Sequence, residues 1–230
     1  MNICGEIFNK LLKALYPNKC MFCGDIIDED NEMKTCRYCE NELVYSENGN
    51  SVFYYSEIVK NCIHRFKYSN HPEYAPYIAK YMYIKALENG LNDCDIIVSV
   101  PMYRKKEKKR GFNQTALIAE ELSKLTGIVH DRGILLRVRN TLPQSKTGAD
   151  KKFENLKDAF KVENKERIRG KRVLLIDDIR TSGSTLKHCG DLLTLNGAEY
   201  VGYMTFAAAR KNKDDKRAKN KGIDKERENV

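Results

Sequence analysis

The chain has 230 residues, enough for one medium domain with a small one beside it or for a single large domain. Hydrophobic residues make up 41%, which suffices for a core, while 32% charged residues and no apolar run near the roughly 18 residues of a membrane span exclude a helical membrane protein. The net charge of +9 calls for an anionic partner: a nucleotide, a nucleic acid or both.

At the N-terminus Phe8, Leu11, Leu12 and Leu15 share one helical face, which Glu6, Lys10 and Lys13 interrupt. This is no signal peptide but a short helix docking on its own domain in preference to a membrane surface. Nothing directs secretion, so the chain is expected in the cytoplasm. Cys20, Cys23, Cys36 and Cys39 follow as C-x2-C-x12-C-x2-C. Each C-x2-C turn aims two thiolates at one ion, and two turns complete the closed S4 tetrahedron of a structural zinc site. A redox pair is the rival reading, but two pairs in a short polar segment with no strand before them fit metal better. Gly24, just after Cys23, supplies a residue that tolerates positive φ. Cys4, Cys62, Cys94 and Cys189 are scattered and read as ordinary residues.

Next, residues 56–69 and 72–90 carry apolar positions at helical spacing, the second with a tyrosine stripe assigned to the core. Asp95 to Val100 is an apolar strand ended by Pro101, and "RKKEKKR" at 104–110 is a basic loop facing the ligand crevice. Its rival reading is a solvated basic turn that contacts nucleic acid. A helix from about Gln114 to Leu125, a strand at 134–138 and a polar, strand-poor stretch lead to Val173–Ile176. That run is β-branched and unbroken, as in a parallel strand buried on both faces. Asp177 and Asp178 end it, and Thr181, Ser182, Gly183, Ser184 and Thr185 open a helix that Gly197 closes at C′. A strand follows at 200–206. The tail from Arg210 has nine basic residues against five acidic ones and is expected to be disordered. Strand–helix alternation implies a mainly parallel sheet with helices on both faces.

The small hydroxylated loop exposes N–H groups at a helix N-terminus, an anion cradle. Two carboxylates beside a phosphate cradle require more than phosphate: vicinal hydroxyls or a divalent cation, as in a phosphorylated sugar with Mg²⁺. Capping alone needs one such residue, not the whole set. The stretch "VLLIDDIRTSGSTL" resembles the phosphoribosyl-pyrophosphate (PRPP) motif of type I phosphoribosyltransferases. "VPMYRKKEKKRGFNQTALIAEEL", "RNTLPQS…FENLKDAF", the Lys67-Tyr68 pair and the cysteine module together resemble the ComF family of competence-related phosphoribosyltransferase-like proteins, from Cys20 to about Arg210. One departure is Lys151 and Lys152 where the family usually has an arginine; lysine makes no bidentate clamp.

The resemblance implies an α/β, type I phosphoribosyltransferase-like fold with a small N-terminal zinc-finger module. The expected boundaries are 1–48 for the N-terminal helix and zinc finger, 49–210 for the transferase-like domain and 211–230 for the tail. It further implies that Asp177 and Asp178 hold the ribose hydroxyls, that Arg180 and Thr181 to Thr185 hold the 5′-phosphate, and that Mg²⁺ with Arg104, Lys105, Arg110 and Lys67 serves the pyrophosphate. The 140–158 stretch is the candidate lid. Two functions are open: phosphoribosyl transfer to an unidentified acceptor, or a non-catalytic module that binds single-stranded DNA and keeps the PRPP pocket as a sensor or relic. A competence helicase or another DNA-uptake protein is the further partner.

Overall fold

The computed structural model describes residues 17–28, 31–47, 49–139 and 158–210. The expected N-terminal helix, the charged tail after Arg210 and all but the last residue of the candidate lid lie outside the described residues.

In chain order the elements are α1 (Arg37–Glu42), β1 (Ser51–Tyr54), α2 (Glu57–Tyr68), α3 (Ala75–Glu88), β2 (Ile96–Ser99), α4 (Arg104–Arg110), α5 (Gln114–Thr126), β3 (Leu135–Arg137), β4 (Phe160–Val162), β5 (Arg172–Arg180), α6 (Ser184–Leu195) and β6 (Tyr200–Ala208). Four strands form a parallel sheet in the order β1-β6-β5-β2. This is the type I phosphoribosyltransferase-like architecture that the sequence implies. Local chemistry explains the helix starts. Ser56 caps α2 by accepting the Val59 amide at 3.4 Å, and Asn113 caps α5 by accepting the Thr115 amide at 3.1 Å. Beyond the end of α6, Gly197 takes φ +105° as the expected C′ residue.

Each sheet face has its own core. Phe66 of α2, Ile78 and Met82 of α3, and Ile118 and Leu122 of α5 cover the face that carries Leu174 and Ile176. Leu186, Cys189 and Leu193 of α6, with Ile134 and Phe160, cover the face that carries Val173 and Leu175. Burial on both sides is why Val173–Ile176 shows no polar alternation. The cysteine segment joins the first core: the buried ring of Phe22 lies 6.1 Å from Phe53 and 6.4 Å from Phe206. The tyrosine stripe of α3 is core as expected at Tyr81, and Tyr74 just ahead of the helix is buried too.

Four sequence expectations change. Residues 104–110 form a helix, not a loop, because lysine and arginine are good helix formers and Gly111 closes the turn at φ +90°. The strand at 134–138 shortens to β3 and stays out of the main sheet, pairing antiparallel with β4. β4 begins at Phe160, the last residue of the stretch read as strand-poor, and only Phe160 and Val162 around Lys161 give the two-residue period. The edge strand β1, four residues long, was also not anticipated.

Candidate functional site

The motif strand runs further than its apolar part. β5 continues through both aspartates to Arg180, with Asp177 paired to Thr205 and Arg180 to Ala208 of β6. Successive side chains in a strand point to opposite faces, so the adjacent carboxylates part company. Asp178 continues the row of Leu174 and Ile176 and meets α2 and α5. Asp177 continues the row of Val173 and Leu175, on the face where Arg137 and Cys189 lie. The expectation of two side-by-side carboxylates at a strand end gives way to two acids serving two faces.

Asp178 is buried and sits in a network of three further side chains. Lys67 of α2 approaches its Oδ2 at 2.5 Å, and Gln114 of α5 donates through Nε2 to the same oxygen at 3.1 Å. Arg110, at the end of α4, donates to the Gln114 Oε1 at 2.5 Å and lays its guanidinium 4.9 Å from the centre of the Tyr68 ring. Burial opposes the charge of Lys67, but the Asp178 carboxylate outweighs it and raises the pKa of the ammonium. Asp177 lies differently. Burial first, and then the charge of Asp178, push its carboxyl up to about 7, against the pull of the Asp178 amide, Lys67 and Arg137.

Beyond β5, Gly183 takes φ +79° and caps α6 without a side chain, while the Ser182 hydroxyl accepts the Ser184 amide at 3.4 Å. The Ser182 and Ser184 hydroxyls lie 2.8 Å apart beside it. Arg180 donates to the Tyr203 hydroxyl at 3.1 Å, and its aliphatic stem lies behind Gly183 of the loop. Helix α4 separates the remaining basic residues. Arg104 and Lys105 line a cavity of about 770 Å³ with Ser99, Asn113 and Arg137, whereas Arg110 and Lys67 line a different cleft. The four residues expected to serve the pyrophosphate together therefore line two cavities. Gln114 and Arg137 were not among the expected site residues. Gln114 was legible as part of the "RGFNQ" run, but no spacing rule ties it to a carboxylate 64 positions away.

The four cysteines do converge. Their sulfurs all lie within 4.8 Å of one another, with Cys23 and Cys36 3.6 Å apart. A tetrahedral thiolate site with bonds of about 2.3 Å has edges of about 3.8 Å, so the cluster can hold one metal ion. Amides donate to the sulfurs of Cys20, Cys23 and Cys36 at 3.3 to 3.4 Å. At Cys20 burial opposes ionisation, yet the surrounding amides outweigh it and bring the thiol down to about 7. Arg65 of α2 ties this knuckle to the domain by donating to the Phe22 carbonyl at 2.8 Å and the Cys23 carbonyl at 2.7 Å. Gly24, at φ +91°, lies so close that a Cβ would stand 3.3 Å from that guanidinium.

Residues 116–230, half of the chain, match the family model of the phosphoribosyl transferase domain. The chain is 32% identical over 151 residues to the DNA utilization protein YhgH of Escherichia coli K12, which covers 64% of this chain and 66% of that protein, slightly less than two thirds of its length. It is 30% identical over 193 residues to competence protein F of Haemophilus influenzae, across 76% of this chain and 84% of the relative. Among solved structures, the glutamine PRPP amidotransferase of B. subtilis is similar with a TM-score of 0.42 and 18% identity, over 62% of this chain and 30% of that one.

The two aspartates should respond oppositely to removal of charge. Asp177 binds its proton more tightly in the folded state, so its contribution to stability grows as pH falls from about 7 towards the ordinary carboxylate range. Asp177→Asn should therefore raise the thermal midpoint above pH 7 by a few degrees, at about 2–4 °C per kcal/mol, and flatten its pH dependence below that. Asp178→Asn strands the largely buried Lys67 ammonium and should cost about 3–5 kcal/mol. Thermal melts of both variants across this pH range check the point, and shifts in the same direction would contradict the opposite-face arrangement.

Proposed function

The chain belongs to the ComF family, and from that premise we propose that it binds PRPP with Mg²⁺ at the carboxyl end of β5 and transfers phosphoribose to an acceptor with release of pyrophosphate. One observation carries the reading: both partners of Asp178 converge on Oδ2. Lys67 and Gln114 together fix the rotation of the carboxylate, and Oδ1 is the atom left to accept a ribose hydroxyl.

The rest of the site follows from its chemistry. Thr181 to Thr185 and the first-turn amides of α6 receive the 5′-phosphate, which the positive end of the helix favours. Arg180 braces this loop from behind through Tyr203. Arg104 and Lys105, with Arg137, line the cavity that receives the pyrophosphate. Asp177, which burial and the charge of Asp178 leave under-compensated, would hold Mg²⁺, and the cation would supply neutralisation of charge on the leaving group. As the glycosidic bond breaks, positive charge grows on the ribose, and the Asp178 carboxylate stabilises it electrostatically.

A second reading is supported by the net charge of +9 and by relatives named for DNA utilization and competence. In it the protein is a module for single-stranded DNA, working in DNA uptake with a helicase or another uptake protein, and PRPP acts as a sensed ligand. The cysteine centre serves both readings. Four thiolates in a closed tetrahedron suit zinc, held for structure.

Calorimetric titration with PRPP should show binding that needs Mg²⁺ and is abolished by Gly183→Val, which forces a β-branched residue into positive φ at the turn that sets the first amides of α6. A pyrophosphate-release screen against nucleobases then separates the readings, since binding without release supports the module. Absence of PRPP binding by the intact protein removes both the transferase and the sensor. Metal analysis should find about one zinc per chain, and a strong chelator should lower the thermal midpoint. Metal-free protein with an unchanged melt would sink the zinc assignment.

A further inference from the structure

Helix α4 has six cations among its seven residues, and its winding divides them. Arg104, Lys105 and Glu107 line the larger cavity towards Arg137. Lys106, Lys109 and Arg110, at i, i+3 and i+4, share the opposite side. They line a cleft of about 620 Å³ whose far wall is Lys67, Tyr68 and Asn70 at the end of α2. We propose that this cleft seats the phosphate backbone of a single nucleic-acid strand, separately from the pocket at the N-terminus of α6. The proposal deepens the DNA-binding side of the reading above by giving it a place, and it does not depend on PRPP binding.

Charge within the cleft is left unmatched. Of its four cations only Lys67 faces a carboxylate, that of Asp178. Arg110 is held by the neutral amide of Gln114, and Lys106 and Lys109 make no ion pair among the described residues. The one acid of α4, Glu107, turns the other way and pairs with Arg132 at 2.9 Å. A merely solvated basic face would not need Arg110 fixed in place by a buried amide. Three uncompensated cations in one concavity focus a positive potential that attracts a polyanion.

The shape favours a strand over a lone phosphate. Lys106 and Arg110 are one helical turn apart, about 6 Å along the axis, comparable to one step of a phosphodiester backbone. Tyr68, 67% exposed, stands at the mouth with the His64 ring 5.0 Å away and the Arg110 guanidinium 4.9 Å from its centroid. An aromatic platform beside a cationic track holds unpaired bases by stacking, which a duplex denies it.

The test uses the full-length protein, a fluorescent oligo-dT and anisotropy over about 50–200 mM salt, with PRPP titrations on the same samples. Lys106→Glu combined with Lys109→Glu should weaken oligonucleotide binding about tenfold or more at low salt. It should also make the salt slope shallower by about 1.4, two contacts at about 0.7 each for a single strand. Lys109→Glu alone should lose more than Lys108→Glu, the same charge change on the same helix at a position lining neither cavity. PRPP affinity should be unchanged in all three. The proposal is overturned if wild type ignores the oligonucleotide or the double variant binds it unchanged. It is likewise overturned if Lys108→Glu loses as much as Lys109→Glu, if PRPP affinity falls in parallel, or if thymidine monophosphate competes fully. Wild-type protein that binds oligo-dT through this cleft but not PRPP would remove the PRPP reading and leave the cleft assignment standing.

Discussion

One carboxylate organises this molecule. Asp178, buried at the far end of the central strand, faces Lys67 at 2.5 Å and Gln114 at 3.1 Å. Through these two it joins β5 to α2 and α5, and through Arg110 it reaches α4. A buried ion pair adds little net stability once desolvation is counted, but removing one partner is costly. The pair thus acts as a registration device. It fixes the rotation of α2 and the aim of the basic helix relative to the strand that leads into the Thr181–Thr185 loop.

The same helix reaches the four-cysteine knuckle. Arg65 lies two residues before Lys67 and donates to three consecutive carbonyls, those of Met21, Phe22 and Cys23. Phe22 in turn packs against Phe53 and Phe206 at the core of the sheet. The knuckle is therefore not an appendage in its packing. Its backbone is clamped by α2, and its aromatic side chain helps seat the strands on which α2 rests. The cysteine cluster and Asp178 are both contacted by one twelve-residue helix, through Arg65 and Lys67.

Much of this was legible in the sequence, for identifiable reasons. The run Val173–Ile176 announced a strand covered on both faces, and the C-x2-C spacing announced a four-thiolate cluster; both depend on local chemistry alone. The continuation of β5 through Asp177, Asp178 and Arg180 was not legible, because it rests on pairing with β6, more than twenty residues on. With it the opposite facing of the two acids was hidden. Helix α4 was obscured by its own charge, since a run of six cations reads as a basic loop unless helix propensity is weighed first. The convergence of Lys67, Arg110, Gln114 and Asp178 depends on tertiary packing that no spacing rule carries. Division of the basic residues between two cavities followed from that helix.

The central claim is that Asp178 and Lys67 form a single coupled unit on which the site is built. A double-mutant cycle on stability with Lys67→Met, Asp178→Asn and the two combined tests it most directly. The expected result is a coupling of about 1–3 kcal/mol, the double variant being more stable than the sum of the two losses requires, because neither charge is then left buried alone. Losses that simply add would contradict it, for they would mean that the two side chains stand independently and that α2 is set against β5 by apolar packing alone.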